Sequence, residues 1–386
     1  VEHHVRETPG GVKPPIYLDY QATTPLAPEV AAAMRPWQET GFANPHSSHR
    51  LGREAAAAVE LARERVRAAL GGAGGKLYFT SGATESINWA LKGAAARLPV
   101  ERRRIVTLAT EHAAVLDTVE WLGGQGFDVD ILKVGTDGLA FPELFAERIT
   151  DRTGIVAAML VNNEIGVIQP VAEIARLAHR QGALFLCDAV QGFGRVTLPL
   201  ESCDMAALSA HKVHGPKGIG ALWVREGLEI DPLLHGGGQE GGLRSGTLSP
   251  ALCVGFGEAA RLLEERGEAD RAHVERLWSV ALGLLPGWTL NGSAEARYKG
   301  NLSLYRPGVD AARLISEVRE VAFSAGSACA SGSGRPSHVL SSLLLSDREA
   351  RSTIRLGFGR YTGEAELVDA LTLINAAANR QLNFAA

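Results

Sequence analysis

The chain has 386 residues and a formal net charge of −4, from 39 basic and 43 acidic side chains with no dense Lys/Arg block. That leaves no electrostatic footprint for nucleic acid or a membrane surface, and no apolar run approaches the ~18 residues needed to span a bilayer. Hydrophobic content of 46% and charged content of 21% are those of an ordinary globular protein, and its length suggests two domains or one domain with a lobe.

The opening VEHHVRETPGGVKPP has no apolar centre and does not read as a signal peptide. Next, SHRLGREAAAAVELARERVRAAL sets Ala and Leu on one face and Arg and Glu on the other, as in a long amphipathic helix. Strand-like and helix-like stretches then alternate: KLYFT and TESINWALKGAAARL, RIVTLA and AAVLDTVEWLGGQG, DVDIL, GIVAAMLV and VAEIARLAHRQG, LFLCDA, MAALSA, GIGALWV. This is the pattern of an α/β protein with a mostly parallel sheet flanked by helices. The near-continuous apolar run IVAAMLV agrees with a strand buried on both faces.

After about Gly257 the texture changes to charged helical stretches, followed by NLSLY, VAFSAG and TIRLGFG, which read as a smaller α+β unit. The expected layout is an N-terminal arm (1–16), a large domain (17–257) and a small C-terminal domain (258–386).

The chemistry concentrates where strands end. In MAALSAHKVHGPKGIGALWV a strand ends at Ser209, and His211 and Lys212 lead into a Gly/Pro turn, so an amine is offered to a carbonyl cofactor. In LFLCDAVQGFG an apolar strand ends at Asp188, where an acid faces a ligand in the crevice at the strand's carboxyl end. Pyridoxal phosphate needs this pair: a lysine to hold it, and an acid to keep its pyridine nitrogen protonated. Gln191 is placed to hydrogen-bond the phenolic oxygen.

YFTSGATESINWALKG sets Thr84 and Glu85 at a helix start, where exposed N–H groups and the dipole favour phosphate. GGAGGKL is not a Walker loop, because Leu77 stands where Ser or Thr is required. TLATEHAAVLDT places His112 just after a strand, able to stack on a ring and move protons. MLVNNEIGVIQPV ends a strand at Asn162 and Asn163, and STIRLGFGRYT puts Arg355 on a strand, where an anion must balance it. Taken singly, each has an ordinary reading: surface lysine, helix cap, structural histidine, salt bridge. A metal site built from His46, His49, His211 and His214 has loose spacing and no thiol, so no metal is expected.

Together these pieces closely resemble the cysteine desulfurases, the NifS/IscS-like branch of the class V aminotransferase group with the type I fold of pyridoxal-phosphate enzymes. The resemblance runs from YLDYQATTPLAPEV to IRLGFGRYT through ANPHSSHRLG, FTSGATES, TEHAAVLDT, VNNEIGVIQPV, CDAVQ, SAHKVHGPKGIGAL, GGGQEGGLRSGT and SAGSAC. It implies that Lys212 holds pyridoxal 5'-phosphate as a Schiff base and that Asp188 faces its pyridine nitrogen. By the same resemblance Gln191 contacts the phenolic oxygen, and His112 stacks on the ring and shuttles protons. Ala83, Thr84, Ser209 and His211 hold the phosphate, with Thr247 reaching it from the other subunit of a homodimer. Asn163, also beside the cofactor, and Arg355 hold the substrate carboxylate.

The resemblance also gives a role to Cys329, which stands in the Gly/Ser-rich FSAGSACASGSGRPSH. Its thiolate takes the sulfur of L-cysteine as a persulfide, releases L-alanine, and passes the sulfur to an acceptor protein such as an iron–sulfur scaffold. Such a loop has the reach to serve two places. Cys187 and Cys253 read as structural, and Cys203 is open. Four cysteines without a CxxC pair suit a reducing cytoplasm.

Where many relatives have arginine after GGGxE, this chain has Gly241. A selenocysteine lyase or another class V enzyme is the alternative, and a non-catalytic scaffold fits poorly because Lys212 and Asp188 are both present.

Overall fold

The computed structural model describes residues 14–72, 74–326 and 337–385. Cys329 and nearly all of the expected N-terminal arm lie outside these described residues. The fold divides into two units. The larger comprises Thr23–Asn163 and Val167–Gly267, and the smaller comprises the segment ending at Ala22, Glu164–Gly166, and the chain from Glu268 onward.

The first strand, β1 (Ile16–Tyr17), belongs to the smaller unit. The larger unit opens with α1 (Pro28–Glu39) and α2 (Arg50–Ala69). Strands and helices then alternate: β2 (Lys76–Thr80), α3 (Ala83–Ala95), β3 (Arg104–Leu108), α4 (Ala113–Gly123), β4 (Asp128–Leu132), α5 (Pro142–Arg148), β5 (Thr153–Met159), α6 (Val171–Arg180) and β6 (Leu184–Asp188). β7 (Met205–Ser209) and β8 (Gly220–Val224) complete the sheet.

The seven strands lie in the order β2-β8-β7-β6-β5-β3-β4. β8 runs antiparallel to both its neighbours, β2 and β7, while the remaining pairs are parallel. Every strand except β8 therefore points the same way. The mostly parallel α/β sheet expected from the sequence is present, and β5 is buried along its whole length, as a central strand covered on both faces must be. Trp89 and Leu91 of α3 and Val115 and Val119 of α4 pack on Ile155, Leu186 and Leu222 of the sheet. At ~25 cal/mol per Å² of apolar area, such packing holds the strand ends fixed relative to one another.

α7 (Pro250–Gly283) runs unbroken past Gly267. The smaller unit contains β9 (Thr289–Leu290), β10 (Asn301–Tyr305), β11 (Val321–Ala322), β12 (Ser324–Ala325) and β13 (Thr353–Gly357). Four of them form an antiparallel sheet in the order β12-β13-β10-β9, and β1 pairs in parallel with β11. The terminal helix Glu364–Ala385 buries Leu367, Leu371 and Ile374 in the same core as Leu302 and Ile354.

Candidate active site

Because β2, β3, β5, β6 and β7 share one direction, their carboxyl ends share one edge of the sheet. From that edge issue Ala83 and Thr84 after β2, His112 after β3, Asn162 and Asn163 after β5, Asp188 at the end of β6, and Ser209, His211 and Lys212 at and after β7. The topology thus brings most of the residues singled out in the sequence to one edge of the sheet, where ligands of such folds bind.

Asp188 is 6% exposed, and its Oδ1 accepts the Val190 N–H at 3.0 Å. Burial pushes its carboxyl above the usual range, while the Val190 N–H, and after it the electrostatics of the nearby His112 and Lys212, pull it back. A buried acid at a strand end is placed to face a ring nitrogen in the crevice beyond it. His112 caps α4, with Nδ1 accepting the Ala114 N–H at 3.0 Å. That bond selects the tautomer with hydrogen on Nε2, so the ring offers a donor. Lys212 ends a short turn of 3₁₀ helix, Ala210–Lys212.

At the start of α3, Gly82 supplies no side-chain cap. The first amide groups of the helix are set for an anion instead. The His211 Nδ1 lies 3.1 Å from Thr23 Oγ1. Burial, then Lys212, Lys217 and Arg195, push the imidazole down to about 4. It is therefore neutral at neutral pH, which suits hydrogen bonding to a phosphate. Ser209 is buried, and Thr247 is exposed in the single chain.

Two supports were missed in the sequence. Arg195 donates through Nη1 to Gln191 Oε1 and through Nη2 to the Lys212 carbonyl at 2.7 Å. It fixes the Gln191 amide with its NH₂ end as the donor and steadies the lysine turn. Its place in QGFGR, seven residues beyond Asp188, was the only signal. Glu111 is fully buried, with Oε1 accepting the Met159 N–H at 2.8 Å. Burial, and to a lesser degree the nearby Asp188 charge, raises it well above the usual carboxylate range.

Arg355 lies in the smaller unit, on β13, where Nη2 donates to Asp19 Oδ1 at 2.8 Å. The salt bridge weighed as its ordinary role is present. Glu240 accepts from Arg63 and from the Phe79 N–H, and Arg244 pairs with Glu85, so Glu240 and Arg244 of GGGQEGGLRSGT are tied down by partly buried ion pairs. Gly241 has φ +67°, a left-handed conformation that glycine adopts at no steric cost.

The three described cysteines, Cys187, Cys203 and Cys253, are buried and free. Hydrogen bonding to Cys203, and then burial, holds the Cys187 thiol well above its ordinary value. Burial pushes Cys253 up to about 12. Both stay protonated and unreactive. Among the described residues no helix is long and apolar enough to cross a membrane.

The Aminotransferase class-V family profile matches residues 16–371. Cysteine desulfurase IscS of Rickettsia bellii is 44% identical over 375 residues, covering 95% of this chain and 92% of the relative. The same enzyme of Rickettsia akari is 44% identical over 369 residues, 93% of this chain and 90% of the relative. Among solved structures, a NifS-like protein aligns with a TM-score of 0.89 at 34% identity, covering 95% of this chain and all 100% of that one. SspA in complex with cysteine aligns at 0.80 with 36% identity, covering 90% and 99%. The chain belongs to the class V aminotransferase family and, within it, to the cysteine desulfurases.

Proposed function

We propose that the protein converts L-cysteine to L-alanine with pyridoxal 5'-phosphate and carries the sulfur as a persulfide on Cys329. The observation that carries this reading is the buried Asp188 at the end of β6, set with His112 after β3 and Lys212 after β7 along one edge of the sheet.

The donor set fits the cofactor. Asp188 offers a carboxylate to the ring nitrogen and Gln191 an amide to the phenolic oxygen. Thr84 and the uncapped start of α3, with Ser209 and His211, suit the phosphate. Lys212 supplies the covalent tether, and Thr247 reaches the phosphate across a homodimer. When bound, the cofactor supplies an electron sink for the pair left on the substrate α-carbon. Lys212 Nζ takes the α-proton, and His112 Nε2–H donates toward the reacting side of the substrate. Asn163 and Arg355 hold the substrate carboxylate.

The Cys329 thiolate attacks the substrate sulfur. The S–S bond forms as the Cβ–S bond breaks, and the electron pair stays on the carbon fragment. Protons returned to that fragment by Lys212 and His112 complete L-alanine. No external oxidant enters this balance. The persulfide is then passed to an acceptor protein, such as an iron–sulfur scaffold, in the cytoplasm.

The test is turnover of L-cysteine by cofactor-loaded protein with a thiol reductant, following alanine and sulfide beside Cys329→Ala. Equal alanine and sulfide, both lost in the variant, is the expected result. Full activity of Cys329→Ala overturns the persulfide step.

A further inference from the structure

Between β8 and α7 the chain runs through GGGQEGGLRSGT, and two of its side chains reach back to the first strand and helix of the alternating series, all within the larger unit. Glu240 takes the left-handed conformation, φ 51°, which residues other than glycine seldom adopt. Its carboxylate is 2% exposed and accepts three bonds: from Arg63 Nη2 at 2.7 Å, from Arg63 Nη1 at 2.8 Å and from the Phe79 N–H of β2 at 2.6 Å. On either side of Arg244, the Leu233 N–H donates to the Leu243 carbonyl at 2.7 Å and the Ser245 N–H to the Leu234 carbonyl at 3.0 Å. The Gly246 N–H donates to Gln239 Oε1 at 2.9 Å. The backbone around Arg244 is therefore held without the Arg244 side chain.

That side chain goes instead to Glu85, in the first turn of α3. Nε donates to Oε1 at 2.7 Å and Nη2 to Oε2 at 3.2 Å, with the two side chains 16% and 18% exposed. Glu85 Oε2 also accepts the Ser81 N–H at 3.0 Å and the Ser81 hydroxyl, one residue before the uncapped Gly82. Burial raises the Glu85 carboxyl, but the bonds from Arg244 and Ser81 outweigh it and hold the group below the ordinary carboxylate range. It is therefore an anion at neutral pH. A helix start carries roughly half a unit of positive charge, so a full negative charge in its first turn would take that up before a phosphate arrived. The turn assigned to phosphate thus contains an anion of its own, cancelled by one arginine. A partly buried ion pair is weak evidence for stability, and here the backbone does not need it.

We propose that Arg244 is a positioning residue for the phosphate end of the cofactor: by neutralising Glu85 it leaves the positive end of α3 to hold a dianion, and so makes the site selective for the phosphorylated form of the cofactor. The inference rests on the reading of that turn as the phosphate site.

The test titrates the full chain, stripped of cofactor, with pyridoxal 5'-phosphate and with pyridoxal, reading the absorbance of the lysine-bound form. Arg244→Gln binds pyridoxal 5'-phosphate about tenfold more weakly at low ionic strength, and the deficit shrinks as salt is added. Its affinity for pyridoxal is that of the parent. Glu85→Gln keeps one oxygen to accept from Arg244 and the Ser81 N–H but drops the charge, so it binds pyridoxal 5'-phosphate at least as tightly as the parent. Combining the two substitutions recovers the affinity that Arg244→Gln loses, and Arg244→Lys, which keeps the charge without the fork, retains most of it.

An Arg244→Gln variant that binds pyridoxal 5'-phosphate as the parent does overturns the proposal, as does one that loses pyridoxal in equal measure. So does a Glu85→Gln variant with weakened binding, because a mere brace fails from either side; this variant decides the matter alone if Arg244→Gln does not fold. A double variant with no recovery overturns it as well. A parent chain that binds no pyridoxal 5'-phosphate defeats the cofactor reading itself, a result distinct from any of these.

Discussion

In the large unit, Thr84, His112, Asn163, Asp188, Gln191 and Lys212 all lie within four residues of a strand's carboxyl end. In the small unit, Arg355 pairs with Asp19 across 336 residues, and Ser337 with Glu164 across 173. The first set is positioned by strands, and in the proposed function its members face ligands that the chain does not itself supply. The second is positioned by its own ion pair and hydrogen bonds. A strand-end site is costly to alter chemically and cheap to alter structurally, and the reverse holds for long-range pairs that hold a buried charge.

The largest effect expected from breaking this contrast is at the strand ends. Lys212→Ala lowers alanine release by about 10⁴-fold, because both tether and base are removed. Its folding stability stays near that of the parent, and loss of the bound-cofactor absorbance is the check. Asp188→Asn, which removes the charge facing the ring nitrogen, lowers kcat by about 10²–10³-fold, again with little loss of Tm.

In the small unit the balance shifts to stability. Asp19→Asn leaves the buried Arg355 guanidinium without its carboxylate and costs about 3 kcal/mol of folding stability, read by denaturant unfolding. A variant that kept its stability and lost only activity would erase the distinction between the two regions.

Smaller effects sharpen the comparison. Arg195→Met frees the Gln191 amide and the lysine turn, and lowers kcat and cofactor affinity by about tenfold. The smallest effect concerns His211, held near 4 in the folded protein against 6.5 ordinarily. A depressed folded value means that its contribution to stability is full above about pH 6.5. That contribution is lost as pH falls toward 4. In apoprotein NMR the imidazole should stay neutral through pH 6, and His211→Gln should flatten the stability profile in that window.

The sheet and its strand-end residues were legible because each rests on local signals: an apolar run, a turn, then one polar residue of the right kind. KLYFT, DVDIL, MAALS and LFLCD occupy β2, β4, β7 and β6 as read. Arg195 and Glu111 were not legible, because the first acts through a neighbouring carbonyl and amide and the second through a backbone N–H on another strand. Neither partner leaves a mark in the sequence. The same reason hid Glu164 and Ser337: a serine after proline reads as a helix cap, and only the folded chain brings the distant carboxylate to it. Arg355 was noticed as a buried arginine, but Asp19 in YLDYQ carried no sign of being its partner.

On the proposed function, sulfur from L-cysteine rests on Cys329. The most direct measurement is mass analysis of the Cys329 peptide after one turnover with L-cysteine and no reductant, trapped by alkylation. The expected result is one added sulfur atom on Cys329, matched by one equivalent of alanine, and none on Cys187, Cys203 or Cys253. Alanine formed without sulfur on Cys329, or sulfur found on one of the three buried thiols, would contradict it.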